Sequence, residues 1–194
     1  MKSVMKFFPK KKHSCWGNPR AITAKESEFD QAYYDTFQLD SKKTTILIMM
    51  GSLGSSSVNQ LMKDALKGIE DNIQFIYVCG KDNLQDAALF KELKNVHVTG
   101  YVDTLKIYKK VDGMICRAGA TTLAEVTALG IPSILIPSPY VANNHQFYNA
   151  NVLVEKGAAL MIEEKDLNAS TLNKSIIELF MDPKKMEECS LNRQ

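Results

Sequence analysis

The chain has 194 residues, enough for one domain with a substantial core or for a domain and a tail. With 45% hydrophobic and 24% charged residues and a net charge of +2, its composition is typical of a soluble globular protein. Its apolar runs, such as residues 46–50, are far shorter than the roughly 20 residues that cross a bilayer, which excludes a membrane-spanning helix.

The start of the chain is basic and aromatic, and all the acids lie at or beyond Glu26. An arm of this kind attracts anionic lipid or nucleic acid in some proteins. Because charge runs are usually solvated, we interpret the arm as a linker and predict no nucleic-acid partner. It lacks the apolar region and cleavage site of a secretory signal, which predicts a cytoplasmic protein.

Four cysteines lie far apart and form no C-x-x-C pair. Isolated cysteines at the ends of apolar runs behave as small buried side chains. The sequence therefore predicts neither a zinc site nor a disulfide framework, and we expect no metal and no cofactor.

From residue 44 onward, short apolar runs rich in β-formers alternate with helical patterns. The alternation predicts an α/β fold, a single Rossmann-like, doubly wound sheet of six parallel strands at 44–194. The predicted strands are "TTILIMM", "IQFIYVC", "VHVTGYV", "DGMICR", "SILIPS" and "AALMI". The predicted helices lie at about residues 57–70, 83–93, 104–110, 122–129, 145–156 and 171–181. Residues 1–43 show no strong period, and we interpret them as a basic connecting segment with at most one short helix.

Ligands of open parallel sheets bind outside the carboxyl ends of the strands, so the segments after each strand are candidates. "GSLGSSS" (51–57) and "RAGATT" (117–122) each lead into a helix, whose N-terminal N–H groups attract anions. Two such loops at one edge indicate a diphosphate, and "NNHQ" (143–146) adds groups suited to sugar hydroxyls. Capped turns and close helix–sheet packing are the structural alternatives for these segments.

Glu125 is the one acid on the predicted helix 122–129. Thr122 and Glu125 have the T-x-x-E spacing of a capping box. The same position opens on the sheet edge, where a nucleotide ribose needs a hydrogen-bond acceptor, so both interpretations stay open. The sequence shows no Ser/His/Asp set and no carboxylate pair at a catalytic spacing, and we identify no catalytic base in it.

Six blocks then point to a family by their order along the chain. They are "GNPR" (17–20), "GSLGS" (51–55), "GYVD" (100–103), "CRAGATTLAE" (116–125), "GIPSILIP" (130–137) and "NNHQFYNA" (143–150). Together they resemble the C-terminal half of the MurG family, peptidoglycan transferases of glycosyltransferase family 28 with a GT-B fold. Members of that family move N-acetylglucosamine (GlcNAc) from UDP-GlcNAc to the undecaprenyl-pyrophosphoryl-muramyl-pentapeptide, which forms lipid II.

In that family this half binds the UDP-GlcNAc, and the resemblance implies roles for matching positions. Arg20 and Ser52 would contact the donor diphosphate. Thr121 and Thr122 would present N–H and hydroxyl groups to phosphate.

The other implied contacts are to the nucleoside and the sugar. Val102 would hold the uracil through its backbone, and Glu125 would accept hydrogen bonds from the ribose hydroxyls. His145 and Gln146 would face the hydroxyls of GlcNAc.

Two departures from the family accompany the resemblance. Its diphosphate loop usually reads G-G-S-x-G with Gln common at x, whereas Met50 and Leu53 stand at those places here. The 194 residues also contain no counterpart of the N-terminal domain, which supplies the acceptor loop, the base and the membrane-docking surface. We therefore expect a donor-binding half that is inactive without an N-terminal acceptor domain.

Three interpretations of such a half stay open. It is a fragment or truncated product, the soluble donor-binding subunit of a split two-chain UDP-GlcNAc transferase, or a non-catalytic nucleotide-binding module. In the first two, an N-terminal-half partner chain or a membrane-associated subunit would bring the polyprenyl-linked acceptor. That arrangement places the protein at the inner face of the plasma membrane as a peripheral component.

Overall fold

The structure is a computed structural model that describes residues 18–50 and 56–191. Within these ranges one sheet of six parallel strands has the order β3-β2-β1-β4-β5-β6, which confirms the predicted doubly wound architecture. The strands are β1 (Thr44–Met49), β2 (Ile73–Val78), β3 (Val96–Thr99), β4 (Gly113–Cys116), β5 (Ser133–Leu135) and β6 (Leu160–Met161). The helices are α1 (Pro19–Glu26), α2 (Gln31–Asp35), α3 (Ser56–Leu66), α4 (Thr104–Ile107), α5 (Ala120–Leu129), α6 (His145–Val154), α7 (Ala169–Phe180) and α8 (Pro183–Leu191). Segments of 3₁₀ helix lie at Lys81–Phe90, Tyr108–Lys110, Ala142–Asn144 and Glu164–Asp166.

The central strand β1 is buried on both faces. Ile46 and Ile48 belong to a core shared with residues of α3 and α7, whereas Leu47 belongs to a second core shared with α1 and α5. Side chains alternate across a strand, so helices on both faces explain why β1 reads as a continuous apolar run.

The course of the chain creates a switch point beside β1. After β1 the chain builds β2 and β3 on one side and then returns to place β4 on the other side. In sheets of this kind ligands bind at the carboxyl ends of the strands that flank the switch point. The fold therefore predicts a ligand site among the residues after β1 and β4.

The segment before β1 was wrongly predicted to hold at most one short helix. In its described part, residues 18–43, α1 and α2 both form; α1 packs against α5, and Ala24, Tyr34 and Phe37 are buried in the second core. Asn18 caps α1 by accepting from the backbone N–H of Arg20 at 3.0 Å, next to a proline in the first turn. Helices of eight and five residues are too short to show a clear period. The domain boundary at residue 43 stays a prediction.

Three further elements differ from the sequence prediction. The predicted helix at 83–93 is the 3₁₀ segment Lys81–Phe90, and the predicted helix at 104–110 divides into α4 and a 3₁₀ turn. The terminal helix α8 was missed, although its Cys189 is buried in the first core. None of the helices in the described ranges is long and apolar enough to cross a membrane.

Candidate functional site

A cleft of about 410 Å³ opens at the carboxyl ends of β1 to β4, and we call it the edge cleft. Its apolar floor includes Met49 and Val78, the last residues of β1 and β2. Its walls include Val102 and Thr122, two of the predicted site residues. The fold thus brings the segment after β3 and the first turn of α5 to one cavity, although 20 residues of sequence separate them.

Val102 lies at the wall of the edge cleft with 6% of its surface exposed. Among the described residues, no hydrogen bond engages its backbone N–H or C=O. Its neighbour Asp103 is fixed, because the Asp103 N–H donates to the Tyr33 hydroxyl at 3.0 Å. Buried backbone groups are nearly always paired, so a donor and an acceptor left open beside a cavity suit the edge of a planar base.

The N-terminus of α5 provides the anion-binding end of a ten-residue helix. Gly119 is its N-cap and no side chain caps it, while Thr121 is exposed and Thr122 faces the edge cleft. The capping-box interpretation is therefore wrong: the helix begins at Ala120, so Thr122 is its third residue and does not occupy the cap position.

Glu125 lies one turn further along α5 and is 4% exposed. Arg20 of α1 donates its Nε–H to Oε1 at 2.5 Å, and the Tyr108 hydroxyl donates to Oε2 at 2.7 Å. Burial, and then the adjacent carboxylate, raise the pKa of Tyr108, so its hydroxyl stays protonated and continues to donate. Both oxygens already have protein partners, and Glu125 is almost fully buried, so a ribose hydroxyl needs a movement of neighbouring side chains, such as that of Arg20, to reach the carboxylate. The ribose role stays a prediction.

His145 and Gln146 begin α6, at the next position along the same sheet edge, and neither lines the edge cleft. The exposed His145 ring contacts the Ala142 carbonyl through Nδ1 at 2.9 Å. Gln146 accepts from the Ser138 N–H through Oε1 at 2.9 Å, which ties it to the loop after β5. Ser52 lies outside the described residues.

A match to a family model covers residues 45–194, and the model is the glycosyltransferase family 28 C-terminal domain. The chain belongs to glycosyltransferase family 28. Among curated relatives, a UDP-N-acetylglucosamine--N-acetylmuramyl-(pentapeptide) pyrophosphoryl-undecaprenol N-acetylglucosamine transferase 1 of Bacillus cereus is 37% identical over 97% of this chain and 53% of its own length. The transferase of Pediococcus pentosaceus is 39% identical over 91% of this chain and 50% of its own length.

Solved structures share the fold of this chain. MurG of Acinetobacter baumannii is 30% identical with a TM-score of 0.71, over 84% of this chain and 48% of that protein. A putative UDP-N-acetylglucosamine 2-epimerase of Listeria monocytogenes has a TM-score of 0.72 at 13% identity, which shows the fold alone. The chain spans about half the length of these relatives.

Met50, a departure from the usual family 28 loop, does not project into the edge cleft. Its side chain is 7% exposed and packs in the core with Ile46 and Ile48. The bulk of Met50 therefore lies in the core and not among the residues that line the edge cleft. Leu53 lies outside the described residues.

Arg117 also lines the edge cleft, which the sequence pattern did not predict. It follows β4, lines the edge cleft, and has a side chain that is only 18% exposed. Its Nη1 contacts Glu164 Oε2 at 2.5 Å. The sequence does carry a signal for it, because Arg117 is the one charged residue in the "RAGATT" segment.

Proposed function

We propose that this chain is the UDP-GlcNAc-binding domain of a glycosyltransferase of peptidoglycan biosynthesis. In that reaction GlcNAc passes from UDP-GlcNAc to a polyprenyl-pyrophosphate-linked muramyl-pentapeptide, as the names of the curated relatives describe for those proteins. The observation that carries the proposal is the edge cleft, which holds the open backbone of Val102 and the N-terminus of α5 in one cavity. A nucleotide needs such a pair of sites, one for the base and one for phosphate.

Each part of the donor has an assigned contact in this proposal. The uracil bonds the Val102 backbone, and the phosphates accept from Thr121, Thr122 and the N–H groups at the start of α5, where the helix dipole favours negative charge. Arg20 adds a cation for the diphosphate. Its side chain is 42% exposed and therefore accessible to a ligand.

Four further residues complete the donor site. Ser52 contacts the diphosphate, and Glu125 accepts from the ribose once Arg20 has turned towards the diphosphate. His145, exposed at the start of α6, faces the sugar together with Gln146.

Transfer itself needs a base and an acceptor site, which we assign to a second domain, in the same polypeptide or in a partner chain. That domain brings the polyprenyl-linked acceptor and docks at the inner face of the plasma membrane. Positioning of two reactants accounts for roughly 7–11 kcal/mol of barrier lowering, so one wall of the site alone gives no useful rate. We expect the 194-residue chain to bind UDP-GlcNAc and to transfer nothing.

Calorimetry of the chain with UDP-GlcNAc, UDP and ADP tests the proposal. We expect UDP-GlcNAc and UDP to bind and ADP to bind more weakly, because the Val102 backbone is matched to uracil. Absence of UDP-GlcNAc binding would contradict the proposal. Equal displacement of a UDP probe by ADP and UDP would contradict the uracil site, and steady transfer to a lipid acceptor would contradict the need for a second domain.

A pair of variants localises the phosphate contact. Thr122→Val removes the hydroxyl that faces the edge cleft and keeps the branched shape, so UDP binding should weaken by about 1.5–3 kcal/mol, the range for a hydrogen bond to a charged group. Thr127→Val makes the same change in α5 away from the cleft and should leave UDP binding unaltered.

A further inference from the structure

Arg117 joins the ends of three neighbouring strands. It is the first residue after β4, and β1 and β5 are the two neighbours of β4 in the sheet. Its Nε–H donates to the carbonyl of Met50 at 3.3 Å, and its Nη1 donates to the carbonyl of Ile136 at 3.2 Å. Met50 and Ile136 are the first residues beyond β1 and β5. One guanidinium therefore fixes the point at which the chain leaves each neighbouring strand.

A carboxylate from a fourth element holds this guanidinium in place. Glu164 begins the 3₁₀ segment after β6 and contacts Nη1 of Arg117 at 2.5 Å. The planar guanidinium presents several N–H donors in a rigid fork, so it can contact two carbonyls and a carboxylate together, whereas a lysine ammonium on a flexible stem cannot hold that geometry. The exposed fractions of the Arg117 and Glu164 side chains are 18% and 25%, so solvent competes less than at a surface pair.

The other charged residues at the edge cleft are differently placed. Lys81 lies at the β2 side, with Nζ 5.0 Å from the ring centre of Tyr101, and Asp82 follows it in the chain. Both come after β2, and in the described part of the chain neither forms a side-chain hydrogen bond or ion pair with β4 or β5. Arg117 alone among these three links the edge cleft to β5 and to the segment after β6.

We infer that Arg117 is a positioning residue for the phosphate end of the donor site, held in place by Glu164. This inference rests on the proposed function. Arg117 precedes Gly119, the N-cap of α5, by two residues, and the phosphates are proposed to bind at this N-terminus. It also fixes the carbonyl of Met50, at which the chain leaves β1. Its side-chain hydrogen bonds in the described residues go to Met50, Ile136 and Glu164 and not to Val102, at which the base is proposed to bind. Loss of Arg117 should therefore weaken binding of the phosphates more than binding of the nucleoside.

The test measures dissociation constants of UDP and uridine by nuclear magnetic resonance titration of the 194-residue chain, well below the unfolding midpoint of every variant. Arg117→Lys keeps the positive charge and loses the planar fork of N–H donors. We expect its affinity for UDP to fall roughly tenfold, the equilibrium equivalent of one charged hydrogen bond, with little change for uridine. Glu164→Gln should shift the UDP-to-uridine ratio in the same direction by a smaller factor.

Glu163→Gln is the matched control. It removes the same charge at the adjacent position, where Glu163 pairs with the exposed Lys165 at 3.2 Å, and its UDP-to-uridine ratio should equal that of the parent. If Arg117→Lys lowers the unfolding midpoint and leaves the ratio unchanged, Arg117 only stabilises the fold and this inference is wrong while the proposed function stands. If the parent binds neither ligand, the proposed function fails and this inference fails with it.

Discussion

Two acid–arginine pairs flank β4 and α5, and they are built in opposite ways. In the pair of Arg20 and Glu125, the carboxylate is the buried centre: the Glu125 side chain is 5% exposed and receives bonds from Arg20 and Tyr108, while Arg20 is 42% exposed. In the pair of Arg117 and Glu164, the guanidinium is the centre and donates to two carbonyls and the carboxylate.

The difference decides what each pair does when it is broken. Removing Arg20 leaves a negative charge inside the protein with one remaining donor, which costs stability. Removing Arg117 takes a donor from two backbone carbonyls and from the Glu164 carboxylate. Because Arg117 lines the open edge cleft, water can enter its place, so the main loss is geometric. We therefore expect loss of the Arg20–Glu125 pair mainly to lower the free energy of unfolding. Loss of the Arg117–Glu164 pair should mainly change the preference for UDP over uridine.

The largest effect expected from this comparison is that of Arg20→Ala. The free energy of unfolding should fall by about 2–3 kcal/mol, less than the 3–5 kcal/mol of a fully buried pair because Arg20 is partly exposed. Urea denaturation at neutral pH measures it. Lys25→Ala removes a cation from the exposed part of the same helix and is the control. Equal losses for the two variants would show that the buried carboxylate does not depend on Arg20.

The next effect concerns the second donor to the same carboxylate. Tyr108→Phe removes the hydroxyl that bonds Glu125 and should cost about 1.5–2 kcal/mol, since hydrogen bonds to charged groups are the stronger ones. Tyr34→Phe is the matched control, because the buried Tyr34 hydroxyl bonds the neutral Thr45 hydroxyl at 3.1 Å. It should cost about 1 kcal/mol. A larger loss for Tyr34→Phe would contradict the view that Glu125 is the centre of its cluster.

The sequence was sufficient to predict the sheet, because β1 to β6 are separate apolar runs and their alternation with helices leaves few topologies. It did not reveal α1 and α2, since their stability comes from packing on the rest of the domain through residues such as Ala24 and Tyr34. Intrinsic propensity is a weak guide for such short elements. The 3₁₀ form of Lys81–Phe90 was missed because its composition suits an α-helix equally well.

Site residues were predictable from the sequence only where a position directly after a strand determines which edge of the sheet they occupy. Val102 and Thr122 meet in the edge cleft because each follows a strand whose carboxyl end lies at the same edge. The partners of Glu125 were not predictable, since 105 residues separate it from Arg20 and no local pattern joins them. Arg117 was missed for the same reason, as its role depends on carbonyls of two other strands.

The third prediction concerns ligand binding and tests the ribose role of Glu125. If the carboxylate accepts from the ribose after Arg20 has moved, Glu125→Gln should weaken UDP by about 1.5 kcal/mol and reduce its advantage over 2′-deoxy-UDP. Glutamine keeps the size of the side chain and can still accept from Tyr108. Isothermal titration with both nucleotides measures the advantage. An unaltered advantage together with lower stability would leave Glu125 as the structural partner of Arg20 alone.

The smallest expected effect is a dependence of stability on pH. Its source is a residue of β3, far from both pairs. His97 is partly buried, its ring lies edge-on to Phe37 at 5.1 Å between centres, and Lys43 and Lys94 line the same hollow with Asp40. Burial lowers the pKa of His97 below its ordinary value near 6.5.

A group of this kind binds its proton more readily when the chain is unfolded. Its contribution to stability is therefore fully present above the unfolded pKa and is lost as pH falls through the lower folded pKa. Stability measured by urea denaturation should decline from pH 7 to pH 5 in the parent, and His97→Phe should flatten that decline. The exposed His145, replaced by Phe, is the control and should leave the decline as it is. If the stability of His97→Phe falls as steeply between pH 7 and pH 5 as that of the parent, other groups cause the pH dependence. The burial of His97 then has no measurable effect on folding.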